Sequence, residues 1–126
     1  MDAEKTKAFY SKLSSQDICD CAYCQNYIRR VRAAYPAAAD YLSHLGVDIE
    51  KPLETMPLEP DEAGKLEYAG PQYIVCGTPE GFAETRIGSV HVAIASSHPS
   101  TGLEKPHFVI ELYPIKLKWS FQDAEL

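Results

Sequence analysis

The sequence lacks the features that mark a membrane or secreted protein. It has no uncharged apolar run that approaches the roughly 18 residues of a membrane-spanning helix. Its first five residues, Met-Asp-Ala-Glu-Lys, contain no cationic segment followed by an apolar stretch, so no secretory signal is predicted. The length of 126 residues, with 45% hydrophobic and 24% charged, fits one globular domain over residues 1–126. We therefore expect a cytoplasmic protein that does not contact membranes.

An excess of positive charge is also absent. The chain has 12 Lys and Arg against 18 Asp and Glu, and residues 47–67 alone carry a charge of −5. Nucleic-acid binding draws most of its affinity from neutralising phosphates, so no nucleic-acid partner is predicted. The one basic cluster, Arg29, Arg30 and Arg32, is interpreted as a solvated helix face.

Glycine and proline are scarce in the first third of the chain. Residues 1–46 contain only Pro36 and Gly46, although the whole chain has nine Pro and seven Gly. Both residues break helices, so this distribution predicts helices over 1–46 and strands after it. We expect helices from about 2 to 13, from an N-cap at Asp20 to Tyr35, and over 37–45, where Gly46 ends the helix. Pro36 either starts the third helix or kinks a continuous one.

After Gly46 the hydrophobic period changes to two, which is typical of strands with one wet face. The alternating positions are Leu66/Tyr68, Tyr73/Val75, Val90/Val92/Ile94, Phe108/Ile110/Leu112 and Ile115/Leu117/Trp119/Phe121. Turns are predicted at 61–64 and 78–81. The predicted class is α+β, with N-terminal helices (about 2–46) packed on a C-terminal antiparallel β-sheet or meander. Deep burial is expected at Ile28, Val31, Ile94, Ile110 and Leu112.

Three of the four cysteines lie within six residues, as Cys19, Cys21 and Cys24. Two thiolates separated by two residues form the usual zinc half-site, and Cys19 can add a third ligand. The start of the predicted second helix also favours thiolate over thiol. The sequence therefore predicts a structural zinc at this cluster. It contains no second Cys-x-x-Cys, so the fourth ligand is left to Cys76, His44, His98 or His107.

Two of these histidines are the preferred candidates for that ligand. His98 and His107 flank residues 99–106, which we expect to connect two antiparallel strands and so to bring the rings together. Other interpretations of the cysteines stay open. They can form a redox pair with the Cys21-x-x-Cys24 spacing, an iron–sulfur site that also uses Cys76, or ordinary buried packing.

Four segments together carry a resemblance to known sequences. They are Cys-Asp-Cys-Ala-Tyr-Cys-Gln-Asn-Tyr (19–27), Leu-Gly-Val-Asp-Ile-Glu-Lys-Pro-Leu-Glu (45–54), Gln-Tyr-Ile-Val (72–75) and Ser-His-Pro-Ser-Thr-Gly (97–102). With them the chain resembles a group of small uncharacterised bacterial proteins. The resemblance implies a bacterial cytoplasmic setting, and it implies no reaction, cofactor or partner.

The sequence favours a function in binding over one in catalysis. It contains no phosphate-binding loop, dinucleotide fingerprint or Gly-x-Ser-x-Gly elbow. We therefore expect a protein that binds another protein or a small molecule, with zinc as its cofactor. The alternative is an enzyme, either a thiol oxidoreductase or a metal-dependent hydrolase that uses the cysteine cluster with His98 and His107.

Overall fold

The computed structural model describes residues 1–14, 17–60 and 64–119 of the chain. Within them, three helices precede six strands, which confirms the predicted α+β class. The helices are α1 (Ala3–Lys12), α2 (Ala22–Ala34) and α3 (Pro36–His44). The strands are β1 (Lys65–Tyr68), β2 (Gln72–Cys76), β3 (Thr85–Ile87), β4 (Val90–Ile94), β5 (His107–Tyr113) and β6 (Ile115–Lys118).

All strand pairs are antiparallel, as the alternating pattern predicts. Strands β2, β5, β4 and β3 form one four-stranded sheet in that order, and β1 pairs with β6 in a second sheet. Strand β3 was not predicted, because three residues are too few to show an alternating pattern. The predicted strand position Phe121 and the predicted turn residues 61–63 lie outside the described residues.

The helix boundaries follow from local capping, with one correction. Asp2 caps α1 through a hydrogen bond from the Lys5 amide, and Pro36 occupies the first turn of α3. The cap of α2, however, is Cys21 and not Asp20. The Sγ atom of Cys21 accepts the Cys24 N–H at 3.5 Å, so a sulfur takes the role that we assigned to a carboxylate.

The core cluster contains buried residues from the helices and from both sheets. Val31, Ile110 and Leu112 are fully buried there, as predicted, but Ile28 is only half-buried and Ile94 is 44% exposed. The prediction for Ile94 was wrong because this residue ends β4 at the margin of the sheet, whereas its register partner Ile110 lies in the middle of β5. The buried residues of α2 are Cys24, Asn26, Tyr27 and Val31, so Tyr27 takes the place in the core that was predicted for Ile28.

Helix α1 closes the outer edge of β2 with its side chains. The Tyr10 hydroxyl donates to the Ile74 carbonyl at 2.8 Å and accepts the Ile74 N–H at 2.9 Å. One turn earlier, Thr6 Oγ1 accepts the Cys76 N–H at 2.9 Å, and the Asp2 amide donates to the Cys76 carbonyl. At Gln72 the backbone of residues 53–54 supplies the partners. Each outward backbone group at positions 72, 74 and 76 of β2 is therefore hydrogen-bonded.

Replacing Tyr10 with phenylalanine should destabilise the fold through this edge. The ring would stay, but the N–H and C=O of Ile74 would lose their partner in a buried environment, which costs about 1–3 kcal/mol per group. Chemical denaturation measures the loss. Tyr41→Phe is the matched control, because Tyr41 is only half-buried, and it should cost less than about 0.5 kcal/mol. Equal effects of the two substitutions would contradict the edge-closing role of Tyr10.

A buried tyrosine network joins α2, the sheet and the loop after α3. Tyr27 and Tyr73 are both 0% exposed, and their hydroxyls are hydrogen-bonded to each other. The Tyr73 hydroxyl also donates to the Ile49 carbonyl at 2.7 Å. Burial raises the pKa of Tyr10, Tyr27 and Tyr73 well above the usual range, since phenolate cannot be solvated in the core.

This network predicts a loss of stability in alkali. Above about pH 10 the tyrosines of the unfolded chain release their protons while the buried ones keep theirs. Since the native state then binds more protons, the free energy of unfolding should fall by up to about 1.4 kcal/mol per pH unit for each such tyrosine. Denaturant titrations between about pH 8 and about pH 11 test this. Tyr27→Phe should flatten the slope, and a wild-type curve with no slope would refute the account.

Candidate metal centre

The three clustered cysteines meet at the start of α2. The Sγ atoms of Cys19, Cys21 and Cys24 all lie within 4.8 Å of one another, and this group can hold a metal ion. Cys19 and Cys21 are exposed, whereas Cys24 is buried in the first turn of the helix. The group is thus open to solvent on one side and anchored in the protein on the other.

Local hydrogen bonds hold the cysteine segment in place. The Cys21 sulfur caps the helix at Cys24 N–H, and the Gln25 side-chain amide donates to the Cys19 carbonyl at 3.1 Å. On the next turn, Asn26 Nδ2 donates to the Tyr68 hydroxyl, which itself donates to the Tyr23 carbonyl at 2.6 Å. The first turn of α2 is therefore fixed to the sheet of β1 and β6.

The buried cysteine has a polar partner from a distant part of the chain. The Sγ atom of Cys24 lies 3.4 Å from Oγ1 of Thr55, which is 1% exposed. The backbone around Thr55 is held by Glu54, whose Oε1 accepts the N–H groups of Thr55 and Met56. Sequence reasoning missed Thr55, because no spacing pattern links residues 31 positions apart.

The local environment shifts the pKa values of Cys21 and Cys24 in opposite directions. Burial raises the pKa of the Cys24 thiol to about 12, partly offset by the hydrogen bond with Thr55. For Cys21, slight burial opposes ionisation, but hydrogen bonds from the Cys24 N–H, from the Cys19 and Cys24 thiols and from the Tyr23 N–H outweigh it and lower the pKa. Cys21 is therefore the thiol that ionises most readily of this pair.

The sulfur positions suit a single metal ion. Tetrahedral zinc with Zn–S bonds of about 2.3 Å holds its sulfurs about 3.8 Å apart. Sulfurs within 4.8 Å of one another need only small side-chain movements to reach that spacing, and Cys19 and Cys21 are free to make them at the surface. Cys76 is not in the group: it is buried at the end of β2, where Thr6 holds its N–H. The iron–sulfur interpretation, which needed all four thiols, therefore has no support.

The structure does not bring the predicted histidine ligands to the cysteines. Neither His98 nor His107 belongs to the group, although both are among the described residues. Nδ1 of His98 is 2.8 Å from the Pro99 carbonyl. Both ring nitrogens of His107 have partners, Thr101 Oγ1 at 2.8 Å and the Lys105 carbonyl at 2.7 Å. A hydrolase site that combines the cysteines with these histidines is therefore not assembled in the described residues.

A set of cavities adjoins the cysteine segment. Three cavities of about 340, 220 and 240 Å3 share Lys51 in their lining, and its Nζ donates to the carbonyls of Tyr10 and Leu13 at the end of α1. The largest is also lined by Lys7, Arg32 and Asp48. The cavity of about 220 Å3 includes Ile18 and Gln25. Ile18 precedes Cys19, and the Gln25 side chain donates to the Cys19 carbonyl, so this cavity lies beside the backbone of the cysteine segment.

The basic cluster was interpreted as a solvated helix face. The guanidinium of Arg32, however, also forms ion pairs. Its Nη2 atom lies 3.1 Å from Oδ1 of Asp48, and its Nε atom lies 2.5 Å from Oε2 of Glu50. Arg32 thereby connects α2 to the acidic segment that follows α3, and both Arg32 and Asp48 line the cavity of about 340 Å3.

Among the described residues, no helix has both the length and the apolar character needed to cross a membrane. Comparisons of the chain with protein-family models, with curated proteins and with solved structures gave no match. The resemblance to small bacterial proteins thus stays a prediction, and the function is inferred from the geometry of the site.

Proposed function

We propose that this is a small binding protein in which Cys19, Cys21 and Cys24 hold a structural zinc ion. The observation that carries the proposal is the convergence of three sulfur atoms within 4.8 Å at the start of one helix. Thiolates are soft ligands that suit zinc, and hydrogen bonds at the helix start favour the ionised form of Cys21. The zinc ion would tie the chain before α2 to the first turn of that helix.

The described residues offer three protein ligands and no fourth. No other His, Cys, Asp or Glu of the described ranges joins the group. Structural zinc sites have four ligands, so water or a donor from a binding partner would complete this one. Exposure of Cys19 and Cys21 leaves that position open to solvent. The same exposure gives zinc a path to the site.

The cavities around Lys51 support the binding role. The largest, about 340 Å3, falls in the range of small-molecule sites, and Lys7, Arg32 and Lys51 give it polar, mainly cationic walls. Arg32 is paired with Asp48 and Glu50, and the Lys51 Nζ binds two carbonyls, so Lys7 is the cation of this lining that would meet an acidic group of a small polar molecule. Such a ligand would sit between α1 and the segment that follows α3.

Metal analysis of the reduced protein, purified without chelator, tests the zinc proposal. We expect about one zinc per chain. Cys21→Ser should abolish it, whereas Cys76→Ser should leave it unchanged, because Cys76 lies outside the group. Protein that folds normally and binds no zinc even when zinc is added would overturn the proposal.

A second candidate function, thiol oxidoreductase, is favoured by the asymmetry of Cys21 and Cys24. Cys21 is exposed and caps the helix, whereas Cys24 is buried behind it. In this function the Cys21 thiolate attacks a disulfide of a substrate, and Cys24 then displaces the mixed disulfide. The products are a Cys21–Cys24 disulfide and a reduced substrate dithiol, with two electrons transferred.

Alkylation of the metal-free protein tests the second candidate. Near neutral pH, Cys21 should react with iodoacetamide faster than Cys24, because its lowered pKa supplies more thiolate. The redox function also requires that glutathione disulfide convert the pair to a disulfide without unfolding the protein. Mass spectrometry of peptides identifies both products. If the oxidised chain contains no Cys21–Cys24 disulfide, this candidate is excluded.

A further inference from the structure

We infer that the group of Cys19, Cys21 and Cys24 binds trivalent arsenic or antimony, taken up from solution as arsenite or antimonite. The inference rests on the proposed function in one respect, that these three thiols act together as one ion site. It differs in the ion, since arsenic and antimony in this state bind three thiolates in a pyramid and direct a lone pair of electrons to the fourth corner. The group supplies that number of thiols.

The count of donors is the first argument. Three sulfurs converge within 4.8 Å, and the described residues add no fourth Cys, His, Asp or Glu. A zinc ion at this group needs an additional ligand, whereas a pyramidal trivalent ion is complete with three. His98 and His107, which would have supplied a nitrogen to zinc, are engaged in other hydrogen bonds. The donor set therefore matches a three-coordinate thiophilic ion without any further group.

Charge is the second argument. Three thiolates carry −3, so a trivalent ion gives a neutral complex, while zinc leaves −1. The Cys24 sulfur is buried against Thr55, and a neutral complex leaves no net charge on that buried side of the group.

Access and stoichiometry complete the argument. Cys19 and Cys21 are exposed and can form the first bonds, after which Cys24 closes the site from the buried side. Each As–O bond of arsenous acid is replaced by an As–S bond. The three thiol protons leave with the three hydroxyl groups as three molecules of water. No electrons are transferred, so no oxidant or reductant is needed.

Titration of the reduced, zinc-free full chain with sodium arsenite tests the inference. We expect one arsenic per chain and the loss of three thiols to Ellman's reagent, with Cys76 remaining titratable after denaturation. Cys19→Ser, Cys21→Ser and Cys24→Ser should each weaken arsenite binding by more than about 100-fold, because loss of a second-shell partner alone costs metal sites about 10–100-fold. Cys76→Ser should bind like the wild type.

Phenylarsine oxide provides a matched probe, because its arsenic keeps one carbon ligand and takes only two thiols. Cys19→Ser should still bind phenylarsine oxide through Cys21 and Cys24, although it loses arsenite. The circular dichroism spectrum of Cys19→Ser should match that of the wild type, which shows that the variant is folded. Equal binding of arsenite by Cys19→Ser and the wild type would overturn three-thiol coordination, as would arsenite binding that consumes only two thiols.

Zinc and arsenite outcomes are independent. Arsenite binding without zinc binding would overturn the proposal of a structural zinc and support this inference. Zinc binding without arsenite binding would overturn this inference and support the structural zinc.

Discussion

Ile110→Ala should lower the free energy of unfolding by about 2–5 kcal/mol, the range for a large aliphatic side chain removed from a packed core. Ile110 is 0% exposed in the middle of β5, where it belongs to the same buried cluster as Tyr73 and Leu112. The lost methyl and methylene groups would leave a cavity that the sheet backbone cannot close. Urea denaturation of the wild type and the variant measures the difference.

The register partner of Ile110 provides the control. Ile94 lies opposite Ile110 on β4, in the same sheet and with the same side chain, but it is 44% exposed. Ile94→Ala should therefore cost about 1 kcal/mol or less. A larger loss for Ile94 than for Ile110 would mean that the core lies at the other end of these strands.

Removal of zinc should produce the second large effect. If the three cysteines hold zinc only in the folded chain, free zinc at about 1,000 times its dissociation constant adds about 4 kcal/mol to stability. A chelator such as EDTA should therefore lower the melting temperature of the wild type. In Cys24→Ser, the melting temperature should already be low and should no longer respond to the chelator.

Cys76→Ser is the control for this experiment. Both Cys24 and Cys76 are buried, so both substitutions place a hydroxyl where a thiol was and both can destabilise the fold. Only Cys24 belongs to the metal group. The response to chelator should thus persist in Cys76→Ser. A wild type whose melting temperature ignores both zinc and chelator would show that the cysteines hold no stabilising metal.

Local features of the fold could be predicted from the sequence, because their causes lie within a few residues. The scarcity of glycine and proline before Gly46 indicated the helical part, and alternation indicated β4 and β5. The errors occurred where tertiary context decides. Ile94 has the pattern of a buried residue, but its position at the end of β4 exposes it. Cys21 caps α2 although Asp20 has the better intrinsic preference.

The candidate site shows the same division between local and distant causes. Cys19, Cys21 and Cys24 were found because they lie within six residues of one another, at and just before the start of α2. Thr55 was not found, since its contact with Cys24 depends on how residues after α3 cross the helix. The prediction for His98 and His107 assumed that flanking one loop would bring both to the metal. Their rings instead hydrogen-bond within that loop and its ends.

The hydroxyl contacts of α1 along β2 also bear on aggregation. Strand β2, with the sequence Gln-Tyr-Ile-Val-Cys, has no charge, proline or glycine, and all five of its residues are buried. Such a segment stacks readily into intermolecular β-structure when its edge is free. Thr6 and Tyr10 occupy the hydrogen-bonding positions that a strand from another molecule would need. Helix α1 thus covers the edge of β2, and its detachment would expose an edge that can pair with strands of other molecules.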